Sequence, residues 1–230
     1  MSGDPTADAA TVLVAAVGEA EGARGAAAAL ACAGADADLA TLLVDAGGRA
    51  PRPTLLASAA AHRLEERLAA HLPQARVAAR GQVCHLAVPA DSDGLEMASA
   101  AATVARGALA VLHLPPTLLQ PVLAEGLGPA PSGVLLRADV AADRALLALV
   151  VRDLMGRDLA VSVLKQRLSW VAERRAFFGA LAPYAAGGLA QRVVGKLLSH
   201  RCYIERHGAR DQPTRAAQPE RRDHAGTGSW

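Results

Sequence analysis

The stretch TVLVAAVGEAEGARGAAAALACAGADADLATLLVDAGGR, residues Thr11 to Arg49, decides how the rest of the chain is read. It opens on a continuous apolar run, Thr11–Val17, without the polar alternation of a strand that has one wet face. Such runs belong to strands covered on both sides, as in parallel sheets flanked by helices. A glycine-bearing turn follows (Gly18, Gly22, Gly25), then alanine-rich Ala26–Ala33, strong in helix propensity and expected to stop at Gly34. Thr41–Val44 is a second buried strand, delivering Asp45-Ala46-Gly47-Gly48 at its carboxyl end. Strand, glycine turn, helix and strand make a βαβ unit.

Outward from it the rhythm continues. Arg49–Pro53 reads as a loop because two prolines so close exclude helix and central strand. Leu55–Leu72 is a helix with Leu56, Leu64, Leu68 and Leu72 on one side and Arg63, Glu65, Glu66 and Arg67 on the other. Ala75–Ala79 and Gln82–Val88 are short strands meeting at Gly81, as one bent strand or a hairpin. Asp91 or Ser92 caps a helix to about Ala105, and Ala108–Leu114 is a strand closed by Pro115-Pro116. Leu118–Ala124 is a short helix, Gly126–Gly133 a loop, Val134–Arg137 a strand, and Asp139 caps the helix Ala142–Met155. Leu159–Leu164 is a further strand, with helices over Arg167–Leu181 and Leu189–His200. The expected fold is α/β: a doubly wound, mostly parallel sheet with helices on both faces, three layers deep. Residues 1–10 read as a flexible lead-in, 11–205 as one domain, and 206–230 as a disordered tail rich in Arg, Gln, Pro, Asp and Gly.

Composition removes several functions. A net charge of +2 and 3% aromatics leave neither the electrostatic footprint nor the stacking platforms of a nucleic-acid binder. Cys32, Cys84 and Cys202 are odd in number and far apart, which fits neither a disulfide framework nor a zinc site and points to a reducing cytoplasm. Asp4 and Asp8 stand where a signal peptide carries basic residues. The long uncharged window Gly107–Ala124 contains His113, Pro115, Pro116 and Pro121, unsuited to a membrane span. Lys165 and Lys196 are the only lysines, and with heavy Ala, Gly and Arg usage this is the expected imprint of a GC-rich bacterial genome.

The order of elements resembles the ParA/MinD group of P-loop ATPases (the SIMIBI class). Val12–Ala33 matches its strand, phosphate loop and first helix. Leu42–Asp45 resembles the strand that brings an acid toward magnesium and the attacking water, and Val134–Arg137 the strand ending in Asn-Arg at the adenine. The resemblance implies a P-loop NTPase-like fold, a nucleotide site at Gly18, Gly22, Arg24, Gly25 and Asp45, and protein partners.

The departures imply lost chemistry. A working phosphate loop needs Lys on the phosphates and Ser/Thr on magnesium. Here the loop reads Gly18-Glu19-Ala20-Glu21-Gly22-Ala23-Arg24-Gly25-Ala26, with two acids, no lysine and no hydroxyl, and Leu136 stands at the adenine Asn position. No catalytic residue, metal ligand or bound cofactor is expected beyond a vestigial nucleotide site. The reading is a non-catalytic localisation or assembly factor, for instance of a pilus or secretion system. The alternative is a Rossmann-type enzyme using a dinucleotide or S-adenosylmethionine, for which Asp45 lies 20 residues after Gly25 as a ribose-binding acid does. Against it, Ala20 occupies the first glycine position, and neither Tyr184 nor Tyr203 has a Lys four residues on.

If the strands are parallel, Gly18, Asp45, His113, Arg137 and Asp139 gather beyond their carboxyl ends. The plainer expectation is that Asp45 and Asp139 cap helices or turns and His113 merely ends a strand. His62, His71 and His85 lack ligand spacing and read as structural, and Arg174 and Arg175 beside Trp170, Phe177 and Phe178 as a half-buried helix. In Leu189–His200, the apolar face of Leu189, Val193, Val194, Leu197 and Leu198 with Arg192, Lys196, His200 and Arg201 at its sides allows contact with an anionic membrane surface, or packing on the sheet. A homodimer is compatible with all of this.

Overall fold

The computed structural model describes residues 10–18, 22–48, 57–125, 131, 133–138, 144–157, 159–165, 175–177, 179–180 and 191–196. Strands and helices alternate as β1 (Thr11–Val17), α1 (Ala23–Asp36), β2 (Thr41–Ala46), α2 (Ala59–His71), β3 (Arg76–Arg80), β4 (Val83–Val88), α3 (Ser92–Val104), β5 (Leu109–Leu114), α4 (Pro116–Glu125), β6 (Gly133–Ala138), α5 (Arg144–Met155) and β7 (Ala160–Lys165). The seven strands form one sheet in the order β3-β4-β2-β5-β1-β6-β7. Every pairing is parallel except β3 with β4, which turn back on each other around Gly81 as an antiparallel hairpin. The expected mostly parallel α/β sheet is therefore the observed one.

The apolar run of β1 is buried along its whole length. Its residues divide between two cores, as period-two side chains must. Leu13, Ala15 and Val17 face a core shared with Leu64 and Leu68 of α2, Ala98 and Ala102 of α3, Leu118 and Val122 of α4, and Val150 and Leu154 of α5. Val12, Val14 and Ala16 face the opposite core, filled by α1 together with Ala176, Phe177, Val193 and Val194. Helices on both faces of the sheet make three layers.

Several boundaries differ from the sequence reading. α1 does not stop at Gly34 but runs on to Asp36. A side chain at Gly34 would begin 2.4 Å from Leu109 Cδ2 and 3.1 Å from Thr41 Oγ1, so the glycine serves close approach of helix to sheet. α4 contains Pro121 inside it, and begins at Pro116, where proline fits a first helical turn. Gly133 opens β6 instead of ending the preceding loop. Ala10, read as lead-in, is buried, and its carbonyl accepts from the Ala110 N–H at 2.7 Å. The caps at Ser58, accepting from Ala61 N–H, and Asp91, accepting from Gly94 N–H, set the starts of α2 and α3. Residues 1–9, Leu55, Leu56, Asp139, the segment 166–174 and the tail from 197 lie outside the described residues.

Candidate functional site

Parallel strands present all their carboxyl ends at one edge, so residues remote in sequence meet there. Asp45 is the fifth residue of β2 and pairs in register with His113 of β5. Two residues back on β2, Leu43 pairs with His85 of β4. Gly22 lies on the same edge, in a left-handed conformation (φ 89°) that starts α1 and carries Arg24 into its first turn.

These placements converge on Asp45, one of the few buried polar residues at 3% exposure. Its Oδ2 accepts from Arg24 Nε at 2.6 Å, with Arg24 Nη2 at 2.5 Å from the same oxygen. Its Oδ1 lies 2.8 Å from His113 Nδ1. An ionised carboxylate can only accept, so His113 carries its proton on Nδ1, leaving Nε2 as its other nitrogen. His85 Nε2 stands 3.9 Å from Asp45 Oδ2, too far to bond, and is buried with no hydrogen-bond partner. The loop after β2 is fitted to this arrangement. A Cβ on Gly48 would fall 2.7 Å from Arg24 Nη2 and closer still to Asp45 Oδ2, so a side chain there would displace the ion pair.

The electrostatics follow from the contacts. Burial by itself would raise the Asp45 pKa, but hydrogen bonds from His113 and Arg24 and the adjacent positive charge outweigh it, and the carboxyl is held below its ordinary value. Burial lowers the pKa of His85, with Arg80 and Arg24 adding to the effect and Asp45 only partly opposing it. Asp45 is thus ionised and His85 neutral at pH 7.

Beside the network, Ala16, Gly18, Gly22, Ala23, Arg24, His113, Pro115 and Pro116 line an open cleft of about 260 Å³. The Arg137 guanidinium lies beside Gly22, with Nε 3.6 Å from where a side chain there would start. The cleft therefore offers an oriented imidazole and cationic surface, but among the described residues that line it there is no lysine, serine, threonine or cysteine. Among the described residues no group of three or more His, Cys, Asp or Glu side chains could hold a metal ion.

Of the residues expected at a nucleotide loop, Gly18, Gly22, Arg24 and Asp45 come together here, and Gly25 lies behind them within α1. Glu19 and Glu21 lie outside the described residues. The expectation that Asp45 acts as a cap is corrected: both its oxygens are engaged by side chains from other elements. His113 does more than end a strand. His85, read as an ordinary structural residue, belongs to the surroundings of Asp45; only the pairing of β4 beside β2 reveals it.

In the last described helical segment, 191–196, Val193 and Val194 are buried in the α1-side core, while Arg192 and Lys196 are exposed. No helix among the described residues is long and apolar enough to cross a membrane. No family model, curated protein or solved structure matches the chain.

Proposed function

We propose that this chain is a non-hydrolysing relative of the ParA/MinD-type ATPases, acting in a bacterial cell as a localisation or assembly factor through protein contacts, as in a pilus or secretion system. One observation carries the reading: Arg24 and Asp45 are bonded to each other. In a working site of this kind the loop cation reaches phosphate and the strand-end acid faces magnesium and water. Here the cation is turned onto the acid, and His113 occupies the other carboxylate oxygen. A metal–nucleotide complex would have to break both contacts to the buried Asp45 carboxylate before gaining anything from them.

The strand order argues against the dinucleotide alternative. In the two common doubly wound orders of such folds the first two strands are neighbours. In this sheet β5 lies between β1 and β2, which separates Asp45 by a full strand from the β1–α1 turn where a pyrophosphate would sit.

Thermal unfolding with Mg-ATP, NAD(P) and S-adenosylmethionine tests the loss of chemistry. A ligand at about a hundred times its Kd stabilises by roughly 2.7 kcal/mol. The expected result is an unchanged Tm across the panel and no phosphate release. A Tm rise with Mg-ATP that disappears in Arg24→Ala overturns the reading. Cross-linking in the native cell followed by purification tests the contact half: recovery of covalent complexes with another protein supports it, and recovery of the chain alone opposes it.

A further inference from the structure

We propose that α5 and the groove beside it form a twofold interface between two copies of this chain. Leu146, Leu149 and Met155 are the exposed large hydrophobic residues among the described ones, and all three lie on α5, with exposures of 39%, 49% and 65%. Helices covering a sheet ordinarily turn their leucines inward, as α5 does with Val150 and Leu154. Leu149 instead lines a groove of about 690 Å³ between α5 and α4, shared with Gln120, Ala124, Asp153 and Gly156. This groove shares no lining residue with the cleft beside Asp45 and has no part in the nucleotide argument, so either proposal can fail without the other.

The occupant follows from the surface matching itself. A twofold contact requires one patch to hold both a feature and its complement. Two antiparallel α5 helices crossing at the midpoint of Arg152 and Asp153 set Leu149 of one copy opposite Gly156 of the other. The same crossing sets Arg152 opposite Asp153, twice. Gly156 supplies the hollow: a side chain there would meet only the carbonyls of Asp153 and Arg152, at 3.4 and 3.5 Å. Asp153 already holds Arg157, from the turn just after α5, at 3.5 Å, both half-exposed, leaving room for a second guanidinium. An apolar projection, a bare backbone hollow and adjacent opposite charges in one register describe a patch made for its own copy.

Sedimentation of the full chain across 1–200 µM (about the range in which modest interfaces assemble) tests this. The expected mass rises to twice the 23.5 kDa chain. Leu149→Glu should hold the chain at monomer mass with the Tm of the dilute, monomeric wild-type chain, because the side chain is outside the core. Arg152→Asp should also give monomer, and the exchange Arg152→Asp with Asp153→Arg should restore the dimer. A photo-cross-linker at position 149 should link to the Gly156 region of another copy. Monomer at all concentrations overturns the proposal, as does a dimer unmoved by Leu149→Glu. Cross-links within one chain or to a different protein assign the groove another occupant and overturn it equally.

Discussion

The two faces of the sheet differ in how far large side chains fill them. On one side α2, α4 and α5 insert Leu64, Leu68, Leu118, Leu119, Val122 and Leu154, while α3 packs there with Leu95 among the small Gly94, Ala98, Ala101 and Ala102. On the other, α1 buries Ala23, Ala26, Ala27, Ala29, Ala31, Ala33 and Gly34 around a single leucine, Leu30. The first face tolerates neighbours at a distance; the second brings a helix almost onto the strands. The difference teaches how the Asp45 site is positioned. Arg24 belongs to the closely seated helix, and its guanidinium meets a buried carboxylate across a gap that a looser helix would not hold.

The contrast is broken most strongly by shrinking one face and enlarging the other. Leu68→Ala, at a fully buried position of α2, should cost about 2–5 kcal/mol of unfolding free energy in urea, through lost burial and a residual cavity. Gly34→Val, opposite in kind, should cost about 1–3 kcal/mol from overpacking against Leu109 and Thr41. If Gly34→Val is neutral while Leu68→Ala is not, α1 is not tightly seated. Asp45→Asn should cost about 1–3 kcal/mol by weakening charged hydrogen bonds to Arg24 and His113. Gly48→Ala should reproduce part of that loss, and fail to add to it in the double variant.

Acid sharpens the comparison further. The pKa of His85 is lower folded than unfolded, so between the two values the unfolded chain holds more protons and stability falls as pH drops below about 6.5. Asp45 is also lower when folded; its contribution stands above about pH 4 and is lost as pH falls through the folded value. Urea midpoints from pH 7 to 5 should therefore decline, and His85→Leu should flatten that decline; an equal slope in the variant would remove His85 from the account. The smallest effect concerns thiols. Burial, with Glu65 nearby, pushes Cys84 up to about 12, so it should resist alkylation at pH 8 until denaturant is added.

Local patterns carried much of this fold. The uninterrupted apolar run fixed Thr11–Val17 to the residue, because burial on both faces leaves no room for polar alternation. The pair Asp91-Ser92 announced the start of α3, and Asp91 is the one whose side chain caps it. Gly34 misled, since a glycine chosen for proximity to Leu109 looks in sequence like one chosen to end a helix. The loop residues and Asp45 could be picked out singly, but the bond between Arg24 and Asp45 could not. It depends on α1 reaching over β5 to the end of β2, a tertiary relation. His85 was hidden for the same reason: its neighbour is set by β4 lying beside β2, and no spacing along the chain records that.

The insertion of β5 between β1 and β2 also governs how the molecule must be made. Thr11 finds its partner Ala110 only after roughly a hundred further residues have left the ribosome, about 5–20 s at ordinary elongation rates. During that interval β1 has neither of its sheet neighbours, since β6 is later still. β2, β3 and β4 can meanwhile pair among themselves. The nascent chain thus carries one naked apolar strand ahead of a partly assembled sheet, a substrate for chaperones until the middle of the protein arrives to close the gap.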